Sequence, residues 1–270
     1  MIFYAYSYSQ IIIFAIPSLA GSIIFIVPLL LKTKSLNFLT DRRVMFTGAL
    51  YFVQQFLIIL STERNGSVIT TIAVLFGDVI LSPALSIALR INLMKLDYTL
   101  FSLSLAIMIP ASVLLVAYGK TITVNGILGV ALLFGVMLAV PFLFLTLNML
   151  ITVKGSFHAL AGTFFWPGIV SLAVGLAIFH QGPSSIGFLP VLSLLVTGVT
   201  SMGVAYLFFF RASRLSGFAI TSVLQALIPP FTLITTHFTE SAYVSAISLS
   251  LIAVASIGAA IAVLSMKPGR

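Results

Sequence analysis

The stretch Ser67–Leu89 reads SVITTIAVLFGDVILSPALSIAL, with a single ionisable side chain, Asp78, at its centre. As a helix it would be about 35 Å long, enough to cross the roughly 30 Å hydrocarbon layer of a bilayer. An ionised Asp in the middle of such a span costs about 2.5–3.5 kcal/mol on insertion scales. Residues of this kind face a water-filled cavity or a partner, and they mark paths for ions or substrate.

The rest of the chain places this stretch in lipid. Of 270 residues, 60% are hydrophobic and 7% are charged, and the mean hydropathy is +1.24. Soluble domains carry roughly 25% charge, and a chain this apolar would have too few polar groups left to cover a soluble surface. There is no cysteine, which excludes disulfides, thiolate metal sites and S-acylation. The net charge of +8 would suggest nucleic acid in a soluble protein. In a membrane chain the basic residues act instead as topology signals, so no nucleic-acid partner is expected. Ser18-Leu19-Ala20 resembles a cleavage site, but no basic residue precedes it and the apolar run continues to Leu31. This is the pattern of a retained span rather than a signal peptide.

Apolar runs predict nine spans: 10–31, 44–62, 67–89, 99–119, 127–151, 158–179, 186–210, 218–238 and 242–264. The fold class expected is all-α, a polytopic transmembrane helical bundle with short connections. An odd number of spans puts the termini on opposite sides. With nine spans, the side away from the N-terminus receives Lys32, Lys34, Arg42, Arg43, Arg90, Lys95, Lys154, Arg211, Arg214, Lys267 and Arg270. The N-terminal side receives only Arg64 and Lys120. Lys and Arg collect in the cytoplasm. The expectation is an integral protein of the cell (inner) membrane, its N-terminus outside and its C-terminus cytoplasmic.

Two short motifs recur in the same order. Val68–Ile72 (VITTI) opens the third span and Ala219–Val223 (AITSV) the eighth. Ser102–Leu105 lies in the fourth span and Ser248–Leu251 in the ninth, both SLSL. The third and eighth spans differ by an odd number of crossings, so the copies run in opposite directions. Inverted repeats are typical of secondary transporters, whose substrate site lies near the midplane where the repeats meet. The division expected is a first repeat over 1–119, a linker over 120–126 and a second repeat over 127–270.

The segment Tyr206–Leu264 resembles the closing part of the EamA-like half of the drug/metabolite transporter (DMT) superfamily. It has an aromatic-rich span end, then Arg211-Ala-Ser-Arg214, a helix with central Pro229-Pro230, Thr239-Glu240, and a final Gly/Ala-rich helix. The resemblance implies two inverted five-span repeats, and metabolite or drug export. Here the second repeat (127–264) has five spans and the first (10–119) has four, as though the opening helix were missing. Its loss would put the N-terminus outside, in agreement with the charge count. In the repeat alignment Asp78 falls opposite Pro229, where the family often has Pro. The first copy has no counterpart to Glu240, and Arg90, Lys95 and Asp97 occupy that connection.

Three readings of Asp78 stand. It titrates in a cavity and couples transport to protons, or it binds a cationic substrate, or it bonds locally to backbone or to Ser82 one turn on. Gln54 and Gln55 lie midway along the second span and point about 100° apart, so one can face a cavity while the other joins helices. Gln225 lies one turn before Pro229, and both can border one cavity. Pro229-Pro230 removes two backbone donors, which suits either a cavity wall or a plain kink. Tyr206 and Trp166 offer rings to stack on a substrate or to pack the bundle. Asn148 reads as a cap near the end of the fifth span. Ala255 and Ala259, with Gly258 and Ala260 beside them, suit close helix approach within the bundle or a dimer face. His158, His180 and His237 have no ligand spacing for a metal, and Glu240 reads as a cap of the last span.

No phosphate-binding Gly-rich loop and no catalytic arrangement of recognisable spacing is present, so neither cofactor nor enzymatic activity is expected. The function expected is secondary-active transport of small metabolites or drug-like solutes by alternating access. The expected substrate-binding residues are Asp78, Gln54 or Gln55, Gln225, Tyr206 and Pro229. Expected partners are the small-molecule substrate, membrane lipid and, if Asp78 titrates, protons as coupling ion. The alternatives are an integral-membrane enzyme on a lipid-linked substrate and a non-transporting membrane subunit.

Overall fold

The computed structural model describes residues 10–89, 95–117, 124–179, 187–216, 218–227 and 246–267. Within these, apolar sequence becomes helix almost throughout. Helix α1 is Gln10–Thr33 and α2 is Arg42–Asn65. Helix α3 runs through Ser67–Phe76, a π-helical stretch Gly77–Leu81, and Ser82–Ala88. Helices α4, α5 and α6 are Tyr98–Ala117, Gly126–Lys154 and Ser156–Phe179. Helix α7 runs through Phe188–Thr197, a second π-helical stretch Gly198–Ala205, and Tyr206–Ser216. Helix α8 is Phe218–Leu224, tightening into a 3₁₀ turn Gln225–Leu227, and α9 is Ala246–Leu264. The one departure from helix that the sequence did not announce is a two-residue antiparallel ladder, β1 (Lys95–Leu96) on β2 (Met266–Lys267).

Among the described residues five helices are long and apolar enough to cross a membrane: α1, α2, α5, α6 and α7. Ile69–Leu85, Tyr98–Leu114 and Ile247–Ala262 form shorter apolar helices inside α3, α4 and α9. Large apolar side chains such as Leu31, Phe46, Ile127, Phe142 and Phe188 stand exposed on the outer faces. A soluble protein seldom tolerates so continuous an apolar exterior, and a bilayer requires one. The eighth predicted span is described only as far as Leu227.

Connections are short because two glycines turn the chain in a single residue. Gly66 between α2 and α3, and Gly155 between α5 and α6, both have φ near +86°. An L side chain there would be strained, so glycine ends one helix and admits the next.

Contacts divide the chain into two compact units, each drawing on both halves of the sequence. Unit 1 is 1–59 with 143–211, and unit 2 is 60–142 with 212–270. In unit 1, α1 packs along α6 and against the π-helical stretch of α7. Small residues allow the approach. Gly168 receives Leu19, Gly203 receives Ile24, and Gly162 receives Val44 of α2. Without a hydrophobic drive between helices in lipid, such van der Waals fit carries much of the association. Trp166 adds a polar tie, its indole Nε1 donating to the Leu39 carbonyl at 2.9 Å.

In unit 2, α9 packs along α4, and α8 packs on the second half of α3. The core gathers Leu75 and Val79 of α3, Phe101 and Met108 of α4, Ile220 and Val223 of α8, and Ala259 and Ala262 of α9. Gly258 faces Met108, and Ala255 and Ala259 are buried. The small residues of the last helix are therefore used inside the molecule, and only Ala260 of that group is exposed. Asp97 caps α4, its carboxylate accepting from the Thr99 and Leu100 N–H groups.

The end of α2 is clamped to the start of α5 in the same unit. Asn65 is buried. Its amide donates to the Gly129 carbonyl at 3.0 Å and its Oδ1 accepts from the Asn125 N–H at 3.1 Å. Arg64 Nε donates to the Asn125 carbonyl at 3.1 Å, and the Asn125 amide returns a bond to the Arg64 carbonyl. A Cβ at Gly129 would lie 2.3 Å from Asn65 Oδ1. Gly129→Ala is expected to expel the Asn65 amide and to cost about 2 kcal/mol. Thermal denaturation in detergent measures the loss, and an unchanged midpoint would mean that the clamp does not form.

Candidate functional site

Asp78 lies in the π-helical stretch of α3, and the local sequence explains the stretch. Pro83, one turn on, lacks the N–H that an α-helix would donate to the carbonyl four residues back, and its ring crowds that carbonyl. A π turn inserts a residue and relieves the crowding, and such bulges are frequent at functional sites. The Gly77 carbonyl accepts both the Ser82 N–H and the Ser82 hydroxyl, the latter at 3.0 Å. Of the readings open for Asp78, a local bond from Ser82 is not formed, because the widened helix gives the hydroxyl a backbone acceptor. Gly77 also brings α3 close to α5, with the Met137 carbonyl and Val140 against its Cα.

The Asp78 side chain is only 7% exposed and turns to α8. With the Gln225 amide oriented nitrogen-inward, that nitrogen donates to both carboxylate oxygens, at 2.9 and 3.0 Å. An amide is assigned by its partners, and only this orientation gives the carboxylate donors. No cation answers Asp78 among the described residues. A neutral amide satisfies the carboxylate's hydrogen bonding without balancing its charge.

Tyr206, Gln54 and Gln55, also expected in the site, lie in unit 1. Tyr206 sits in an aromatic cluster, stacked on Phe144 (6.1 Å between centroids, 9° between planes) and edge-on to Phe164 at 5.0 Å. Tyr51, fully buried, meets the same group from α2, with its ring 6.4 Å from Tyr206 and 5.3 Å from Phe164. Offset and edge-to-face contacts of this kind stabilise by about 0.5–1.5 kcal/mol each. Trp166 is tied to Leu39 as described above. Gln54 is buried with its Oε1 unpartnered, whereas Gln55 is partly exposed. The Asn148 Nδ2 and Ser171 Oγ are likewise buried without a partner. Asn148 is not the helix cap the sequence suggested. Helix α5 continues to Lys154, which leaves Asn148 within the helix and its side chain buried.

Of the residues singled out in the sequence, Asp78 and Gln225 are thus in contact, and Tyr206 is in a ring cluster that sequence reading did not assemble. Pro229, with Pro230, His180, His237, Thr239 and Glu240, lies outside the described residues. His158 packs edge-on to Phe38. Among the described residues no group of three or more His, Cys, Asp or Glu side chains comes together.

Sequence reading missed the pair at the other end of unit 1. Asp41 accepts the Arg43 N–H at 2.9 Å as the cap of α2, and it pairs with the Lys154 ammonium at 2.8 Å. The Lys154 bond, helped by the Arg43 N–H, holds the Asp41 carboxyl below its usual range. A depressed folded pKa contributes stability above the unfolded value of about 3.9, and the contribution is lost as pH falls through the folded value. Asp41→Asn keeps the cap and removes the ion pair. It is expected to cost about 1 kcal/mol or less at pH 7, as the pair is partly exposed. The difference from wild type should close as pH falls through the lowered folded value of Asp41, as a pH series of melting points would show. A difference independent of pH would assign the loss to something other than charge.

Compared with protein-family models and with curated proteins, the chain matches none.

Proposed function

We propose that the chain is a secondary-active transporter, an exporter of small metabolites or drug-like solutes working by alternating access. In this reading nine spans form inverted repeats of four and five helices in the cell membrane, with the N-terminus outside and the C-terminus cytoplasmic. The proposal rests in part on the resemblance of the sequence to the EamA-like half of the drug/metabolite transporter superfamily.

The observation that carries the proposal is the Asp78–Gln225 pair. It joins a helix of the first repeat to a helix of the second, midway along the predicted spans, where a transporter of inverted repeats holds its substrate. The carboxylate takes a proton or the cationic group of a solute. The amide can present either its NH₂ or its carbonyl, so it serves both states of the carboxylate. The helix pairing supports the same architecture: α3 packs on α8 and α4 on α9 in unit 2, and α1 packs on α6 in unit 1. Each pair is a helix and its counterpart in the other repeat, as expected of helices close to a pseudo-twofold axis. Gln54 or Gln55, Tyr206 and Pro229 stay in the proposal as substrate-binding residues on the sequence reading alone.

The test is flux. Metabolites that raise the melting point of the purified chain should cross vesicles containing it, down their own gradient or against a proton gradient. Ligands that stabilise the protein without crossing would overturn the proposal, and chemical turnover without flux would replace it with an enzyme.

A further inference from the structure

A groove of about 400 Å³ opens between α2 and α5 in unit 1. Its walls are Phe46, Thr47, Thr146, Met149, Leu150 and Val153, and at one end stand Arg42 and Arg43. The lining is almost wholly apolar, and Phe46, Met149 and Val153 expose more than half of their surface along it. The two guanidinium groups are charge without a counter-ion. The neighbouring carboxylate, Asp41, is already engaged by Lys154, and neither Arg42 nor Arg43 pairs with any acid among the described residues.

We infer that this groove holds an anionic phospholipid of the surrounding bilayer, its phosphate on Arg42 and Arg43 and the head of an acyl chain along α2 and α5. The charge pattern selects this occupant. An apolar trough about 10 Å long, counted from Thr146 to Val153 along α5, takes a hydrocarbon tail, and paired arginines bind phosphate bidentately where a lysine would act as a point charge. A zwitterionic lipid would bring an ammonium beside the arginines. A free phosphate would leave the trough empty. Basic pockets between membrane helices recognise anionic headgroups by this same combination.

The experiment is a lipid titration of the purified full chain in detergent, followed by native mass spectrometry and by melting point. Phosphatidylglycerol is expected to bind and stabilise, and phosphatidylcholine and inorganic phosphate to do so far less. The double variant Arg42→Gln/Arg43→Gln should bind phosphatidylglycerol about thirtyfold more weakly, the loss expected for two surface charges. Val153→Trp, which fills the trough from an exposed position and keeps both arginines, should lose the preference as well. Lys32→Gln/Lys34→Gln, which removes the same charge elsewhere, should keep it. Retention of the preference by the arginine variant, or its equal loss in the lysine variant, would overturn the site. Equal stabilisation by inorganic phosphate would overturn the lipid.

Discussion

Vesicles containing Asp78→Asn protein are expected to transport solute at least tenfold more slowly than wild type, and what flux remains should no longer vary with pH. The substitution removes charge and very little else. An asparagine at position 78 can pair with Gln225 amide to amide, with one N–H···O bond in each direction, once the Gln225 amide turns over. The fold should therefore hold. Removing a buried charge that has no cationic partner is neutral or stabilising, so the melting point should stay level or rise. Asp78→Ala is the contrast: it strands the Gln225 amide in a buried site and should cost about 1–3 kcal/mol. If Asp78 served only to hold α8 against α3, the asparagine variant would transport like wild type while the alanine variant melted early. A wild-type flux-against-pH curve in Asp78→Asn rejects the coupling role, and wild-type rates reject the substrate role too.

That Asp78 and Gln225 belong together was legible in part. Each is a polar group stranded in an apolar helix, and such groups must find partners. The repeat makes the third and eighth spans counterparts and both residues are cavity candidates, but it does not say that the two spans touch. The sequence offers Ser82 as a local partner of Asp78 but cannot decide it, because whether the hydroxyl turns to Asp78 or to Gly77 depends on the π turn, and Pro83 alone does not dictate how a helix relieves its strain. The aromatic cluster around Tyr206 was equally hidden. Twenty-three phenylalanines scattered over apolar helices carry no signal as to which faces meet. The Asp41–Lys154 pair is hidden for a different reason: Lys154 enters the sequence reading only as a topology charge and Asp41 not at all, and a charge count by side says nothing about which acid meets which base. The helices themselves were the easy part. Long apolar runs broken by glycine or charge have one solution in lipid, since every backbone group must be bonded within its own segment.

Gly198→Ala is expected to cost about 3 kcal/mol or more, the largest loss for a methyl added at any glycine among the described residues. The added Cβ would lie 2.3 Å from the Pro17 carbonyl oxygen, 2.6 Å from the Pro17 Cα and 2.8 Å from the Ala20 Cβ. Two of the three are backbone atoms of α1, so no rotamer change relieves them. The approach is mutual, for a Cβ at Gly21 would meet Met202 Cβ at 2.7 Å and the Gly198 carbonyl at 3.0 Å. The two helices cross with their backbones in contact, close enough for Cα–H···O bonds of the kind that recur at helix crossings. Both partners are also held in register nearby, where Ser18 Oγ approaches Met202 Sδ at 3.6 Å. Relief would require α1 to move away from α7 as a whole, and α1 is packed along α6 on another face. Gly162→Ala makes the comparison. Its Cβ would come even closer to an atom, but that atom is a Val44 methyl, which a turn of χ1 can withdraw at a smaller cost. Gly66→Ala provides a second reference, with strain from φ of +86° and no neighbour within 4 Å, so its cost should be near 1 kcal/mol. Melting points should fall in the order Gly66→Ala, Gly162→Ala, Gly198→Ala, the last being lowest. A Gly198→Ala protein as stable as wild type would mean that α1 and α7 do not cross at this glycine, and the packing of unit 1 would have to be redrawn.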